Sequence, residues 1–150
     1  MVPVALSAAW ADYGTACYLL EITSESELER SPFLGPLFEG LVAAEILKSQ
    51  VNRAERRKLY FFRDQQCLEV DFLIPRPNAG LWPVEAKASK TVRPAMAAPL
   101  LALQKAPGDR AERLILVHRK STASVSTTAI APGVVALDVG GRAFMAFRIE

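Results

Sequence analysis

The sequence has few of the residues that bind zinc or form disulfides. It contains one histidine, His118, and two cysteines, Cys17 and Cys67, which lie far apart with no CxxC pair. Structural zinc needs four ligands of the Cys or His type, so these counts argue against a zinc site. A disulfide is not expected either, because nothing else in the chain indicates secretion.

Long apolar runs are missing as well. No stretch reaches the roughly 18–20 apolar residues that a membrane span requires. The apolar start of the chain, residues 1–11, has no Lys or Arg of the kind that begins a signal peptide. We therefore expect a cytoplasmic protein with no membrane association. A GxxxxGK[ST] phosphate loop is also absent, so we expect no ATP site in this chain.

What the sequence does contain fits one folded domain. Its 150 residues suit a single domain, and a composition of 51% apolar and 23% charged residues argues against disorder. We predict one domain over residues 1–150, with a lead-in helix and linker over about 1–32 and a core over 33–150. The net charge of +2 neither requires nor excludes a polyanionic partner.

The hydrophobic pattern predicts helices and strands in an α/β order. Apolar residues at helical spacing predict a helix over Pro36–Asn52, after a short helix capped by Asp12. A third helix is expected over Arg93–Lys105, with a kink at Pro99. The predicted strands are Lys58–Arg63, Leu68–Pro75, Leu81–Ala88, Glu112–Arg119, Gly133–Asp138 and Arg142–Glu150, the last two forming a hairpin that turns at Gly140–Gly141. This order predicts an α/β fold with a mixed central sheet flanked by helices.

Alternation assigns the side chains of the second and third strands to faces of the sheet. In the second strand the apolar side chains are expected on one face: Val70, Phe72 and Ile74. Asp71 is then expected on the opposite face. In the third strand Glu85 and Lys87 are two residues apart and share a face.

Asp71 and Glu85 are candidates for a metal site. If their strands are antiparallel neighbours, both carboxylates can face the same side of the sheet, where their repulsion favours a cation between them. Mg²⁺ or Mn²⁺ held by one or two carboxylates and several waters fits this pattern. Lys87 could then lower the pKa of an attacking water or neutralise charge on a phosphate in the transition state. Glu39 could supply a third carboxylate, and Gln104 could position water or substrate.

Two families share these motifs. Asp71 with Glu85-x-Lys87, preceded by the helical Glu39, resembles the PD-(D/E)xK nuclease motif, with Val70 in place of the proline. This resemblance implies a restriction-endonuclease-like fold and Mg²⁺-dependent hydrolysis of phosphodiester bonds in DNA. The sequence more closely resembles the family known as domain of unknown function 4143, in the segments Asp12-Tyr13-Gly14, Tyr18-Leu19-Leu20, Gly35-Pro36-Leu37-Phe38-Glu39 with Val42, Glu45-Ile46-Leu47-Lys48, Tyr60-Phe61-Phe62-Arg63, Glu69-Val70-Asp71 and Val84-Glu85-Ala86-Lys87.

The second resemblance covers residues from about 12 to 138 and implies the C-terminal domain of an AAA-type ATPase. Gly14-Thr15 replaces the usual Gly-Leu of that family, and the ATPase half is absent from this sequence. The expected partners are DNA, an ATPase domain that belongs to another chain or is missing here, and a second copy of the chain. The alternative functions are a non-catalytic DNA- or protein-binding module of an ATPase system, or a truncated remnant of one.

Each candidate residue also has a purely structural interpretation. Asp71, Glu85 and Lys87 could form a salt-bridge ladder on a solvated face, since structural ion pairs resemble active sites. Glu39 could be an acid stabilised by the helix dipole. Four basic residues could contact a nucleic-acid backbone or be solvated cations: Arg56, Arg57, Arg63 and Lys90. His118 is expected at the surface or at an edge of the sheet.

Overall fold

The computed structural model of the protein describes residues 2–3, 13–77, 80–105, 110–119 and 127–139. Its helices are α1 (Tyr13–Leu19), α2 (Glu25–Arg30), α3 (Leu34–Asn52) and α4 (Ala98–Gln104), the last preceded by a 3-10 turn at Pro94–Ala97. Its strands are β1 (Val2–Pro3), β2 (Tyr60–Arg63), β3 (Glu69–Pro75), β4 (Leu81–Lys87), β5 (Leu114–Arg119), β6 (Thr127–Ala131) and β7 (Val134–Val139).

The strands form one mixed sheet in the order β1-β2-β3-β4-β5-β7-β6. Neighbours from β1 to β4 are antiparallel, β4, β5 and β7 run parallel, and β6 returns antiparallel to β7. The carboxyl ends of β4, β5 and β7 therefore lie at the same end of the sheet. The predicted α/β fold with a mixed sheet is confirmed.

Helices cover both faces of the sheet. On one face Phe38, Val42 and Ile46 of α3 pack against buried side chains of β3, β4, β5 and β7. On the other face Leu100 of α4 and Ala97 pack against a second cluster, which includes Leu73, Leu114, Leu116, Val134 and Ala136. Burying both faces explains why β5 is nearly continuously apolar, as expected of a parallel strand in the middle of a sheet.

Strand β3 contains a bulge that the sequence pattern does not reveal. Phe72 and Ile74 share a face as predicted and pack under α3, but Val70 packs in the α4 cluster. The prediction that Val70 shares their face is therefore wrong. Tyr60 of β2 pairs with Leu73 and Phe62 with Val70, so β3 holds one extra residue at Asp71–Phe72. A bulge of this kind interrupts alternation and re-aims the side chains at that point.

Other segments differ from the sequence prediction in their secondary structure. The segment expected as a linker contains α2, which begins with a capping box between Ser24 and Glu27. The polar stretch before Gly133, for which no strand is predicted, contains β6. The helix expected over Arg93–Lys105 is divided into a 3-10 turn and α4.

Some predictions concern residues outside the described ranges. They are the Asp12 cap, the turn at Gly140–Gly141 and the strand Arg142–Glu150. Within the described residues, none of the helices combines the length and apolarity that crossing a bilayer would demand.

Candidate active site

The bulge in β3 places the carboxylate of Asp71 against the C-terminal end of β4. Its Oδ2 atom accepts a hydrogen bond from the backbone N–H of Ala86 at 2.8 Å. Regular pairing of the two strands extends only from Pro75↔Leu81 to Phe72↔Val84. The Asp71 carboxylate thus supplies an acceptor to β4 just beyond the last regular pair. The two strands are antiparallel neighbours, which is the condition that the metal-site hypothesis set.

Glu85 lies next to this contact and is almost fully buried, at 3% exposure. Its Oε1 atom lies 2.5 Å from the Nζ atom of Lys87. Its Oε2 atom is buried without a hydrogen-bond partner, and no other buried side-chain N or O atom in the described ranges lacks one. A buried carboxylate oxygen without a hydrogen-bond partner is costly, so this atom is free to accept a hydrogen bond or to bind a cation.

The carboxyl groups here are harder to ionise than usual. Burial, followed by the charge of Asp71, raises the pKa of Glu85 to about 7, although Lys87 and the Asp71 backbone act in the opposite direction. Burial also raises the pKa of Asp71, against the lowering effects of the Ala86 N–H and of Lys87. The pKa of Glu39 is raised by burial and then by Asp71. Three acids therefore share one region of low solvent access.

Lys87 is the cation of this region. Burial lowers its pKa, but the hydrogen bond and charge of Glu85, together with Asp71 and Glu39, outweigh burial and hold the pKa above its usual value. Lys87 therefore remains protonated at neutral pH. The structure brings together the predicted residues Asp71, Glu85 and Lys87, with Glu39 as an electrostatic neighbour on α3.

Few protein ligands are grouped at this site for a cation. Among the described residues, no three His, Cys, Asp or Glu side chains form a group that could hold a metal ion. Asp71 and Glu85 could share an ion only if waters or substrate completed its shell, which is the usual situation for Mg²⁺. Glu39 does not complete a three-residue set in this geometry.

The remaining candidate residues are spread around the sheet. The Nε2 atom of Gln104 would lie 3.8 Å from a Cβ atom placed on Gly133, beside the start of β7 and away from the carboxyl ends of the parallel strands. Arg56 and Arg57 are exposed and precede Tyr60, towards the same distant end. These three residues therefore lie away from the acidic cluster, which consists of Glu39, Asp71, Glu85 and Lys87.

Arg63 and Lys90 lie nearer to the acidic cluster. Arg63 pairs with Glu69 at 3.0 Å, at the end of β3 that carries Asp71. Lys90 follows the end of β4 and pairs with Glu29. Both basic residues thus lie at the end of the sheet that carries Lys87.

Sequence reasoning missed a polar row that crosses the parallel strands. Lys87 of β4 is in register with His118 of β5, and His118 is in register with Asp138 of β7. His118 is buried on a central strand, so its expected place at the surface or an edge is wrong. Its Nδ1 atom lies 3.0 Å from the carbonyl oxygen of Arg119. Only the strand order reveals this row, because these residues are far apart in the chain.

Comparison with known proteins identifies the family to which the chain belongs. A family model described as Domain of unknown function (DUF4143) matches residues 34–132, about two thirds of the chain. The chain belongs to the DUF4143 family. The match includes all four residues of the acidic cluster: Glu39, Asp71, Glu85 and Lys87. No curated protein and no solved structure matches this DUF4143 chain.

Proposed function

We propose that this DUF4143 domain is a Mg²⁺-dependent nuclease with a restriction-endonuclease-like fold, and that it hydrolyses phosphodiester bonds in DNA. The observation that carries the proposal is the unpartnered Oε2 atom of Glu85, buried next to Asp71. A divalent cation would satisfy that oxygen and offset the repulsion from Asp71 that, after burial, raises the pKa of Glu85. The strand order supports the same fold, since β3 carries Asp71 and the adjacent β4 carries Glu85-x-Lys87.

Each residue of the site would have a distinct role. Asp71 and Glu85 would hold Mg²⁺ or Mn²⁺, which would supply a Lewis acid and a more acidic bound water. Lys87 stays protonated because its pKa is raised, so it would stabilise negative charge on the phosphate in the transition state. Glu39 would add negative charge beside the ion. Such a domain would serve an AAA-type ATPase as its nuclease component.

A cleavage assay tests this proposal. The purified chain is incubated with plasmid DNA and either Mg²⁺, Mn²⁺ or EDTA, and nicked and linear products are quantified. We expect metal-dependent cleavage that falls by about a hundredfold or more in Glu85→Gln, because the variant loses a metal ligand and with it the charge stabilisation that the ion would supply. Glu25→Gln on α2 is the matched control, since it removes the same charge from an exposed site. Cleavage by Glu85→Gln at the wild-type rate would remove Glu85 from the mechanism.

A second candidate is a non-catalytic module that binds DNA or protein for an ATPase. It is favoured by the short contact between Lys87 and Glu85, because an ammonium already placed on a carboxylate partly neutralises the site without a metal. This candidate predicts DNA binding that survives Glu85→Gln and weakens when Arg56 and Arg57 are both changed to Gln. Binding without any cleavage in Mg²⁺ or Mn²⁺ would favour it over the nuclease.

A further inference from the structure

Glu29 of α2 forms ion pairs with two basic residues near the ends of different strands, one after β4 and one at the end of β5. Its carboxylate contacts the Nζ atom of Lys90 and lies 3.4 Å from Nη2 of Arg119. The Arg119 side chain is only 15% exposed, less than any other cation in the ion pairs of the described residues. One carboxylate thus fills a site built from two converging cations.

This site lies beside the proposed catalytic residues. Lys90 is three residues after Lys87, and Arg119 is the last residue of β5, next to His118. The N–H of Arg119 donates to the carbonyl of Ser89 at 3.0 Å, which fixes the two segments together. In open α/β sheets, ligands bind outside the carboxyl ends of parallel strands, and both cations are found there.

The helix that carries Glu29 is held weakly. None of the six residues of α2 is buried, and its capping box is a local contact within residues 23–27. Glu29 is exposed, and its contacts with Lys90 and Arg119 lie at the surface, where each ion pair contributes little to stability, so moving Glu29 away from both would cost little. A phosphate group presents the same oxygen acceptors to Arg and Lys with more negative charge, so it can replace a carboxylate at such a site.

We propose that Lys90 and Arg119 bind a backbone phosphate of DNA, and that Glu29 occupies this phosphate site until DNA displaces it. The inference rests on the proposed function for its ligand. It adds Arg119 to the substrate-binding residues and gives α2 an autoinhibitory role. Removing the Glu29 charge should therefore strengthen DNA binding, whereas a purely structural Glu29 would only stabilise the fold.

Binding is measured without metal, so that cleavage plays no part. A fluorescent DNA duplex is titrated in EDTA by anisotropy with wild type, Glu29→Gln and the matched control Glu25→Gln. Both variants change the net charge equally, and both substitutions lie on α2. We expect Glu29→Gln to bind about two- to tenfold more tightly than Glu25→Gln, the size of one or two released surface ion pairs.

A third variant tests the contribution of Lys90. Adding Lys90→Gln to Glu29→Gln should abolish the gain, and thermal melts should show that all variants remain folded. Equal affinity of Glu29→Gln and Glu25→Gln, or no binding by any variant, would overturn the phosphate site. Tighter binding by Glu29→Gln with no cleavage in Mg²⁺ or Mn²⁺ would support the phosphate site and overturn only the nuclease proposal.

Discussion

The carboxylate of Asp71 accepts the backbone N–H of Ala86 at 2.8 Å, at the bulge where β3 stops pairing regularly with β4. Ala86 is buried, so this N–H has little access to water. The same bulge sends Val70 to the opposite face from Phe72 and presents Asp71 to Glu85. One irregularity in a strand therefore both satisfies a backbone donor and assembles the acidic pair.

Substitutions at Asp71 separate its backbone hydrogen bond from its charge. Asp71→Ala should leave the Ala86 N–H buried without an acceptor, at a cost of roughly 1–3 kcal/mol. Asp71→Asn keeps an acceptor oxygen and removes the repulsion with Glu85, so its free energy of unfolding should change by less. Urea denaturation followed by circular dichroism measures both. Equal losses in the two variants would mean that the Ala86 contact contributes nothing.

The ionisation of Glu85 should make stability depend on pH. Its pKa is about 7 in the folded state against an ordinary value of 4.5, so the folded protein retains a proton that the unfolded chain releases. The resulting stabilisation is complete below the unfolded value and is lost as pH rises through about 7. Stability should therefore fall between these two values.

Glu85→Gln removes this titration and should be more stable than wild type at pH 8, by on the order of 3 kcal/mol. At pH 4, below the unfolded value, the difference between the two proteins should nearly vanish. Thermal or urea unfolding at both values measures it, with Glu25→Gln as the exposed control. A wild-type protein that equals Glu85→Gln at pH 8 would show that the Glu85 carboxylate is not strained by burial.

Gln50 supplies a prediction about the fold itself. Its Oε1 atom accepts the Lys58 N–H and its Nε2 atom donates to the Lys58 carbonyl, both at 2.9 Å, and the residue is only 3% exposed. Gln50→Ala should lose both bonds and cost roughly 2–3 kcal/mol. The exposed Gln66→Ala should change stability by less than about 0.5 kcal/mol. Similar values for the two variants in urea unfolding would contradict this role.

Local sequence signals predict the long elements well. The apolar spacing identifies α3, which begins two residues earlier than Pro36 and ends at Asn52 as expected. Strands β3 and β4 lie within one residue of their predicted limits. The sequence also contains a signal for helix α2, since Ser24 and Glu27 have the spacing of a capping box. The acidic composition of this segment favours a linker instead.

The parts of the site that sequence does not predict depend on pairing between distant segments. Glu85 and Lys87 share a face by simple alternation, which any strand provides. The bulge at Asp71 depends on how β2 pairs with β3, and the row from Lys87 to His118 depends on β5 lying beside β4. Glu29 meets Arg119 across 90 residues of sequence. Such contacts follow from the topology of the whole sheet.

Metal binding can be tested independently of cleavage. Because Oε2 of Glu85 lacks a partner, a divalent cation should bind the folded state and raise the melting temperature of wild type. At a metal concentration a hundred times Kd, the stabilisation is about 2.7 kcal/mol. Mn²⁺ titrations by thermal shift at constant ionic strength measure it.

Glu85→Gln should lose most of the Mn²⁺-dependent rise, because an amide binds Mn²⁺ more weakly than a carboxylate does. Glu25→Gln should keep the rise, since its charge lies on the exposed α2 helix. A rise of the same size in Glu85→Gln would place the metal elsewhere. No rise in wild type at millimolar Mn²⁺ would leave the buried oxygen of Glu85 to water, and the short pair with Lys87 would then be the structural centre of the cluster.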